Sequence, residues 1–319
     1  MATEHRVILT GGTGTLGGSF LREAANRPGM RILALRRPGS KTLPPTANIQ
    51  EALAETLDGP EAAAHIRDFR PTCLVHCAAT GMETDRPSLP ELVRVNVNAS
   101  IALCEIAAAV PGCHYVFVST GLAYQPQERP LREDDPLGTL HPYGATKAAA
   151  DLLVRSAALE FKVPLTVLRP FSFTGPNDDR TRLFPSILRA AAAGQPMSLS
   201  SGSQLRDFCS VRDIAHGLIL AAEAGSPEPG SPRVCNLGSG RLESLRSVIE
   251  RVMGELGVSA DLRFGERPPG RFESPCLVAD ISAAREELKW SPRHNLAHAV
   301  WQLARESFPD LQVVQPREQ

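Results

Sequence analysis

The stretch Arg6-Val-Ile-Leu-Thr-Gly-Gly-Thr-Gly-Thr-Leu-Gly-Gly18 decides the fold of this chain. Its first part is a short apolar run rich in β-branched residues, which predicts a buried strand. Its glycine-rich part leads into residues 19–25, whose composition favours a helix. Strand, glycine-rich turn and helix in this order are the context that a dinucleotide-binding fingerprint requires.

Each spaced glycine of this turn has a physical task. Gly11 allows a tight turn, Gly14 lets the backbone approach a pyrophosphate, and Gly17 lets the helix pack close to the strand. The pyrophosphate then meets the free N–H groups at the helix N-terminus. We therefore predict a dinucleotide site here. The intervening residues included in that site are Thr13, Thr15 and Leu16.

A second constellation points to proton transfer. Tyr143 and Lys147 lie in a segment that has a proline in its first turn and then an Ala-rich run, which predicts a helix. Residues four apart share one helix face, so the phenol and the ammonium are held side by side. A neighbouring positive charge lowers the pKa of a Tyr, which then serves as proton donor or acceptor. Such a pair also arises by chance on solvated helices, but the glycine turn about 130 residues upstream strengthens the indication.

Composition excludes several other classes of protein. The 319 residues suffice for one large and one smaller domain, with 42% apolar and 22% charged residues, as in soluble globular proteins. The net charge of −1 gives no bulk electrostatic case for nucleic acid or membranes. We find no signal-peptide pattern and no membrane-spanning run, and the 7 Cys lack zinc-site spacing. These features predict a cytoplasmic protein with reduced cysteines and no metal site.

Strand and helix patterns alternate through the first half of the chain, which predicts an α/β fold with a parallel sheet covered on both faces. The predicted strands are residues 7–10, 31–35, 53–57, 73–77, 115–119 and 165–168. The predicted long helices are residues 89–110 and 143–161.

The regular alternation of strand and helix patterns ends near Pro176, and the remaining chain mixes helical patterns with irregular and Pro/Gly-rich stretches. Here the predicted elements are helices at residues 183–193 and 242–256, an irregular stretch at 197–206, a Pro/Gly-rich arm at 264–272 and a final helix beginning near Asn295. We predict a dinucleotide-binding domain of residues 1–171 and 206–238. A substrate-binding domain would comprise residues 172–205 and 239–319.

These features together resemble the extended branch of the short-chain dehydrogenase/reductase family, which contains nucleotide-sugar epimerases, dehydratases and reductases. The resemblance spans nearly the whole chain, with motifs in the family's order. They are Thr10-Gly11-x-x-Gly14-x-x-Gly17, Val75-His-Cys-Ala-Ala79, Val95-Asn-Val-Asn-Ala-Ser100, Phe117-Val-Ser-Thr120 with Tyr124, the Tyr143/Lys147 pair, Arg169-Pro170-x-x-x-x-Gly175-Pro176, Arg206-Asp-Phe208 with Asp213, Asn236-Leu-Gly-Ser-Gly240, Arg267-Pro-Pro-Gly270 and Ala279-Asp-Ile-Ser282. The resemblance implies a Rossmann-type doubly wound sheet, a smaller C-terminal α/β substrate domain, and a homodimer formed through the two long helices.

The resemblance also implies roles for single residues. Thr120 would hydrogen-bond the substrate oxygen, Tyr143 would carry the proton, and Lys147 would hold the ribose hydroxyls. Arg206 and Arg267 would bind a substrate diphosphate, because Arg suits a planar bidentate contact. Further cofactor contacts are implied for Ala78, Ala79, Asn96, Ser119 and Pro170.

Two departures from the family's pattern bear on the reaction. Gly121 and Leu122 stand where the 4,6-dehydratases carry an Asp-Glu pair, so elimination of water is not expected. Arg36, followed by Arg37, stands where NAD-preferring members carry an acidic residue for the ribose 2′-hydroxyl. A guanidinium attracts a 2′-phosphate, so NADP(H) is favoured and NAD(H) remains possible.

Cofactor preference separates the reactions of the family. Consumption of exchangeable NADPH would give net reduction. The favoured hypothesis is a reductase of a nucleotide-linked 4-keto-6-deoxyhexose, similar to the paratose/abequose synthase type of 4-ketoreductase. The alternative is an NAD-dependent nucleotide-sugar 4-epimerase, which returns the hydride to the same substrate. A non-catalytic dinucleotide sensor is a remote third hypothesis, since such proteins usually lack the Tyr/Lys pair.

Overall fold

The computed structural model describes residues 4–25, 27–43, 46–82, 87–139 and 141–317. The strands are β1 His5–Thr10, β2 Met30–Arg36, β3 Ile49–Leu53, β4 Cys73–His76, β5 His114–Val118, β6 Leu165–Pro170, β7 Ser172–Thr174, β8 Met197–Leu199, β9 Leu205–Arg206, β10 Phe208–Ser210, β11 Arg233–Leu237, β12 Leu262–Phe264 and β13 Cys276–Leu277. The α-helices are α1 Thr15–Ala24, α2 Pro60–Phe69, α3 Leu89–Val93, α4 Ala99–Ala108, α5 Pro142–Glu160, α6 Leu183–Ala193, α7 Val211–Glu223, α8 Leu245–Glu255, α9 Ser282–Glu287 and α10 Leu296–Ser307.

A parallel sheet forms the centre of the fold, with seven strands in the order β11-β6-β5-β4-β1-β2-β3. The chain runs outward from β1 to β3 and then returns to β4, so the strand order reverses between β1 and β4. Ligands of open α/β sheets bind at the carboxyl ends of the strands beside such a reversal. The predicted doubly wound parallel sheet is confirmed.

Helices cover both faces of this sheet. Along β1, Val7 and Leu9 join the core under α1 and α7, whereas Ile8 joins the core under α2, α4 and α5. Successive side chains of a strand point to opposite faces, and here both faces are buried. This explains why the strand appears in the sequence as a continuous apolar run rather than as an alternating one.

A separate apolar cluster is built from α6, α8 and α10, and we call this part of the molecule the second region. Three short parallel pairs, β7 with β10, β8 with β12 and β9 with β13, accompany it. Residues 197–206 were expected to be irregular, and this is wrong in part because β8 and β9 lie there. Their partner strands are far away in the sequence, so local pattern gives no sign of the pairing.

Two other predicted elements differ from the observed ones. The third strand was placed at residues 53–57 but lies at Ile49–Leu53, because its register with β2 pairs Ile32 with Ile49. The helix predicted at residues 89–110 is interrupted by a π turn, Arg94–Asn98, between α3 and α4. Of the helices in the described part of the chain, none is long and apolar enough to cross a membrane.

Candidate active site

The glycine turn lies between β1 and α1 and leaves one side open. A Cβ on Gly17 would overlap the carbonyl oxygen of Gly11, so only glycine allows α1 to pack this closely. Gly11 itself has a φ of 75°, and a Cβ there would lie 2.7 Å from the amide nitrogen of Ala78. At Gly14 a Cβ would meet only the Gly11 oxygen, at 3.4 Å. The space in front of Gly14 is therefore available to a ligand.

A buried polar chain holds the strands below this turn. The Ser100 hydroxyl donates to the carbonyl of Asn96 at 2.8 Å, so it accepts from Nε2 of His76 at 3.0 Å. Nδ1 of His76 then accepts from the Thr10 hydroxyl at 2.7 Å, and that oxygen accepts from the Ala78 amide at 3.2 Å. Burial, helped by a nearby ammonium, lowers the pKa of His76 to about 3, so the ring is neutral. The chain positions the β4 end against the glycine turn.

Asn96 supports the site from within the π turn. Its side-chain oxygen accepts from the Thr80 amide at 2.9 Å, and its amide group donates to the Thr80 carbonyl and to the Thr146 hydroxyl, both at 3.0 Å. Thr146 in turn donates to the carbonyl of Tyr143. Asn96 is fully buried and does not line a described cavity. It joins the β4 loop to the first turn of α5, so its contact with a cofactor is indirect.

A cavity of about 370 Å³ opens at the carboxyl ends of β1, β4, β5 and β6. We call it the catalytic cavity. It brings together twelve of the predicted site residues, which are Gly11, Gly14, Thr15, Leu16, Gly17, Ala79, Ser119, Thr120, Tyr143, Lys147, Pro170 and Arg206. The other lining residues are Cys77, Met82, Val118, Leu122, Phe171, Ser172, Phe173, Arg182 and Leu277.

Tyr143 and Lys147 share the inner face of α5, but the ammonium does not act as predicted. Lys147 donates from Nζ to the carbonyl of Val118 at 2.6 Å and lies 4.3 Å from the Phe117 ring centre. Burial raises the pKa of Tyr143 to about 12, and the charge that opposes this is that of Arg182. The expectation that Lys147 lowers the pKa of Tyr143 is therefore wrong for this structure. Burial disfavours the charged phenolate more than the nearby positive charge of Arg182 favours it, so the pKa rises. At neutral pH the phenol is protonated.

Burial also changes the lysine. It lowers the pKa of Lys147 to about 8, against the opposing charge of the Asp151 carboxylate. Asp151 is itself fixed by a fully buried ion pair with Arg169, whose Nε and Nη2 donate to the two carboxylate oxygens at 2.9 and 3.0 Å. This pair ties α5 to β6 one turn beyond Lys147.

Two hydroxyl groups at the end of β5 line the catalytic cavity. Oγ1 of Thr120 accepts from the Leu122 amide at 3.3 Å, so its own proton is available for donation. Ser119 is 3% exposed, and its Oγ has no hydrogen-bond partner among the described residues. An unpaired buried hydroxyl is costly unless something else satisfies it. A bound ligand would supply that partner.

A second cavity of about 300 Å³ lies beyond the glycine turn, where β2 and β3 end. This β2–β3 cleft is lined by the predicted cofactor residues Gly11, Thr13, Gly14, Arg36, Arg37, Ala78 and Ala79. Nε of Arg36 donates to a Glu51 carboxylate oxygen at 2.6 Å, and Nη1 donates to the Ser40 carbonyl. Glu51 thus compensates much of the charge of Arg36. Arg37 is exposed and has no ion pair within the described ranges.

The two arginines predicted for the substrate are placed differently. Arg206 lines the catalytic cavity, with Nη1 donating to the carbonyls of Leu205 and Ser274 at 2.8 Å and Nη2 lying 3.5 Å from Glu273. Arg267 is exposed in the arm and does not line this cavity. The structure therefore does not bring the predicted pair together.

Arg182 is a site residue that sequence reasoning missed. It lies just before α6, lines the catalytic cavity and faces the same space as Tyr143. No motif surrounds it, and in an Arg-rich chain its residue type carries little information. Only the return of the β7–α6 segment over the glycine turn places it here, with the Thr15 hydroxyl donating to the carbonyl of Asn177 at 2.9 Å.

Comparison with known proteins defines the class. Residues 7–238, well over half of the chain, match the NAD dependent epimerase/dehydratase family. The chain belongs to this family and is an NAD(P)-dependent enzyme of the extended short-chain dehydrogenase/reductase type, as its motifs predicted.

Individual relatives extend the likeness over almost the full length. The chain is 27% identical over 311 residues to a UDP-glucose 4-epimerase of Lactobacillus helveticus, covering 91% of this chain and 92% of the relative. It is 27% identical over 318 residues to a UDP-glucose 4-epimerase of Azospirillum brasilense, covering 92% and 89%. The solved structure of MoeE5 in complex with UDP-glucose and NAD has a TM-score of 0.81 at 25% identity, covering 93% of this chain and 97% of MoeE5.

The residues present fit a nicotinamide dinucleotide. The open side of Gly14 admits a phosphate to the first N–H groups of α1, and the β2–β3 cleft continues from the same turn. On the other side of the turn, the unpaired Ser119 hydroxyl, the Thr120 hydroxyl and Tyr143 line the catalytic cavity. The glycine turn, Ser119 and Lys147 would hold the cofactor. Arg37 is available at the far end of the β2–β3 cleft.

Proposed function

We propose that this enzyme is a 4-epimerase of a nucleotide-linked sugar. The observation that carries the proposal is the convergence of Thr120, Tyr143 and Lys147 on one cavity at the sheet's reversal point. Relatives that are UDP-glucose 4-epimerases and match about nine-tenths of the chain support the choice of reaction. Gly121 and Leu122 supply no carboxylate for dehydration.

In this reaction the protein itself positions the sugar and transfers a proton. Thr120 donates a hydrogen bond to the oxygen on carbon 4, which fixes that oxygen against Tyr143. Tyr143 first releases its own proton to solvent. The phenolate then takes the hydroxyl proton when the sugar is oxidised and returns it when the sugar is reduced, so the proton count closes over one turnover. The cofactor, when bound, supplies the hydride acceptor and donor. Lys147 supplies a positive charge below the site that stabilises developing negative charge.

Net reduction of a nucleotide-linked 4-keto-6-deoxyhexose, favoured from the sequence, becomes the second candidate. The relatives named above support epimerisation instead. Two observations still favour reduction. The end of β2 carries Arg36 and Arg37 rather than an acidic residue, and Tyr143 is protonated at neutral pH, as a donor to a ketone must be.

Cofactor preference is part of the proposal. The pairing of Arg36 with Glu51 weakens the attraction for a 2′-phosphate on which the NADP(H) prediction rested. The solved structure of MoeE5, which has a similar fold, is a complex with NAD. We therefore favour NAD(H) as the resident cofactor. Arg37 remains the residue that would contact the phosphate of NADP(H).

The reaction is tested by following cofactor and sugar together. Purified enzyme is incubated with UDP-glucose, and products are separated while reduced nicotinamide is followed by absorbance. Epimerisation predicts a C4 epimer and no net change in cofactor. Stoichiometric loss of NADPH with a nucleotide-linked 4-keto-6-deoxyhexose, with no interconversion of UDP-sugars, would establish the reductase instead.

The proton-transfer role is tested by Tyr143→Phe. It removes one hydroxyl and should lower kcat by at least about 100-fold while dinucleotide binding is retained. Tyr124→Phe is the control, because its hydroxyl bonds to Asn236 and Arg169 outside the cavity. A kcat that falls equally in both variants would assign the loss to packing rather than to proton transfer.

The homodimer is also part of the proposal. Four apolar side chains of α5 and its end are substantially exposed, and they are Leu152, Leu153, Leu159 and Phe161. Leu89 and Val93 of the neighbouring α3 are exposed as well. An apolar face of this size on two adjacent helices fits a second copy of the same face. The division into dinucleotide-binding and substrate-binding domains stays a prediction.

A further inference from the structure

A cavity of about 840 Å³ lies where β10, the start of α10 and residues 315–317 meet. We call it the basic cavity. It shares no described lining residue with the catalytic cavity or with the β2–β3 cleft. The basic cavity is therefore separate from the places assigned above to the dinucleotide and to the sugar.

Positive charge dominates the lining of the basic cavity. Four of its lining residues are arginines, and they are Arg241, Arg251, Arg293 and Arg317. Among the described lining residues, only Glu255 carries a carboxylate. The whole chain has a net charge of −1, so this excess of positive charge is a local feature and not a consequence of composition.

The carboxylates near the cavity are already paired with one of these arginines. Nη2 of Arg251 donates to Glu243 at 2.8 Å, and its Nη1 lies 3.5 Å from Glu255. Glu255 also accepts from the side-chain amide of Asn295 at 3.0 Å. Arg251 therefore leaves no carboxylate of the lining to balance the other three arginines.

The other three arginines are held by their backbones while their guanidinium groups stay free. The amide of Arg293 donates to Asp213 at 2.9 Å, and the amide of Arg241 donates to the Ser239 hydroxyl at 3.2 Å. The carbonyl of Arg317 accepts from the side-chain amide of Asn295 at 3.4 Å. All three side chains are exposed and have no ion pair in the part of the chain that the structure describes.

The arrangement of these charges indicates the class of ligand. A cleft lined by charges of one sign concentrates the opposite ion. The planar fork of a guanidinium matches the oxygens of a phosphate, and one phosphate is satisfied by one or two such groups. Arg241, Arg293 and Arg317 come from three separate segments around one space, so together they match several linked phosphates better than a single one.

We propose that the basic cavity is a second ligand site, which binds a polyphosphate anion. A nucleoside triphosphate and a free polyphosphate chain both present this chemistry. Leu296 and Pro316 are buried residues of the same lining, and they provide apolar surface for a nucleoside. The proposal goes beyond the 4-epimerase function and does not depend on it.

The test measures binding of inorganic tripolyphosphate by calorimetry in magnesium-free buffer. Excess NAD and UDP are present throughout, to compete for the glycine turn and the catalytic cavity. Arg293→Met should weaken tripolyphosphate binding by about 10-fold or more, as loss of a charge-assisted contact does. Arg241→Met, on a different wall of the cavity, should have an effect of similar size.

Arg305→Met is the matched control, because Arg305 is an exposed arginine of α10 that does not line the basic cavity. It should change the affinity by less than about threefold. ATP is compared with tripolyphosphate on the wild type. Tighter binding of ATP would identify the nucleoside form as the ligand, and equal affinity would identify the free chain.

Two results would overturn the proposal. One is the absence of saturable tripolyphosphate binding to the wild type, and the other is an equal loss of affinity in Arg293→Met and Arg305→Met. Failure of the 4-epimerase assay would leave the binding result unaffected, so the two proposals fail separately.

Discussion

The region around the glycine turn and the region of the short strand pairs β7–β10, β8–β12 and β9–β13 are held together in opposite ways. We call them the cofactor side and the substrate side, after their proposed roles. Around the glycine turn, the critical feature is the absence of side chains, because α1 rests directly on backbone atoms at Gly17. On the substrate side, the critical feature is a buried carboxylate. Asp207 is fully buried and accepts from the amides of Ser239, Gly240 and Ala279.

The difference follows from how each region satisfies its backbone. The seven-stranded sheet pairs its N–H groups in regular ladders, so its side chains are left to pack. The second region has strands of only two or three residues, and loop amides between them need another acceptor. Asp213 serves the same purpose, accepting from the amides of Arg293 and His294 at 2.9 and 3.1 Å. The loops between these short strands therefore depend on single buried carboxylates to accept hydrogen bonds from their amides.

The largest expected effect is on the cofactor side. Gly17→Ala places a methyl group against the Gly11 carbonyl, so we expect more than about 4 kcal/mol of destabilisation or no folded protein. Gly14→Ala meets the same oxygen at 3.4 Å, an ordinary contact, so that variant should fold. It should nevertheless bind the dinucleotide poorly. Thermal unfolding and NAD titration distinguish the two, and equal stability of both variants would break the comparison.

A somewhat smaller effect is expected on the substrate side. Asp207→Asn keeps one acceptor oxygen but turns an amide donor toward backbone N–H groups, which should cost about 3 kcal/mol. Asp261→Asn is the control, because its pair with Arg263 is exposed and screened by solvent and should contribute little to stability. Denaturant titrations measure both. A loss at Asp207 no larger than at Asp261 would show that the carboxylate is not what holds these loops.

A pH-dependent effect is expected at the boundary of the two regions. The pKa of Lys147 is lowered to about 8 by burial, whereas an unfolded Lys titrates near 10.4. The unfolded state thus binds more protons between those values, and stability rises with pH across that window. Relative to Lys147→Met, the wild type should gain about 2 to 3 kcal/mol from pH 8 to 10.4.

Exposed Lys162 supplies the control for this measurement. Lys162→Met should change stability by a similar small amount at every pH. If the stability curves of wild type and Lys147→Met run parallel through the window, the ammonium does not titrate in the folded protein as described.

The smallest expected effect on folding concerns the exposed leucines. Leu159 is 63% exposed, so Leu159→Glu should change subunit stability by no more than about 0.5 kcal/mol. Light scattering should nevertheless show the proposed dimer dissociating. Leu242→Glu, at a residue 55% exposed outside α5, should leave it intact. A monomeric wild type at micromolar concentration would refute the dimer.

The helices on both sides of the molecule could be predicted from local pattern, whereas the short strand pairs of the substrate side could not. The glycine turn, α5 and the helix after Asn295 have strong local signals, and each lies where it was predicted. The edge strand β3 was misplaced because its register with β2, not its own pattern, decides its bounds. Arg182 was missed because its neighbours in the cavity come from distant segments.

The sequence by itself determined the order of strands and helices, the dinucleotide turn and the Tyr143/Lys147 pair, since each depends on residues close together along the chain. Only the folded molecule decided the electrostatics. Burial keeps Tyr143 protonated, the Lys147 ammonium donates to the Val118 carbonyl, Arg36 pairs with Glu51, and Arg182 lines the catalytic cavity. Desolvation and charge pairing depend on what surrounds a group in space, and those surroundings come from segments far apart in the chain.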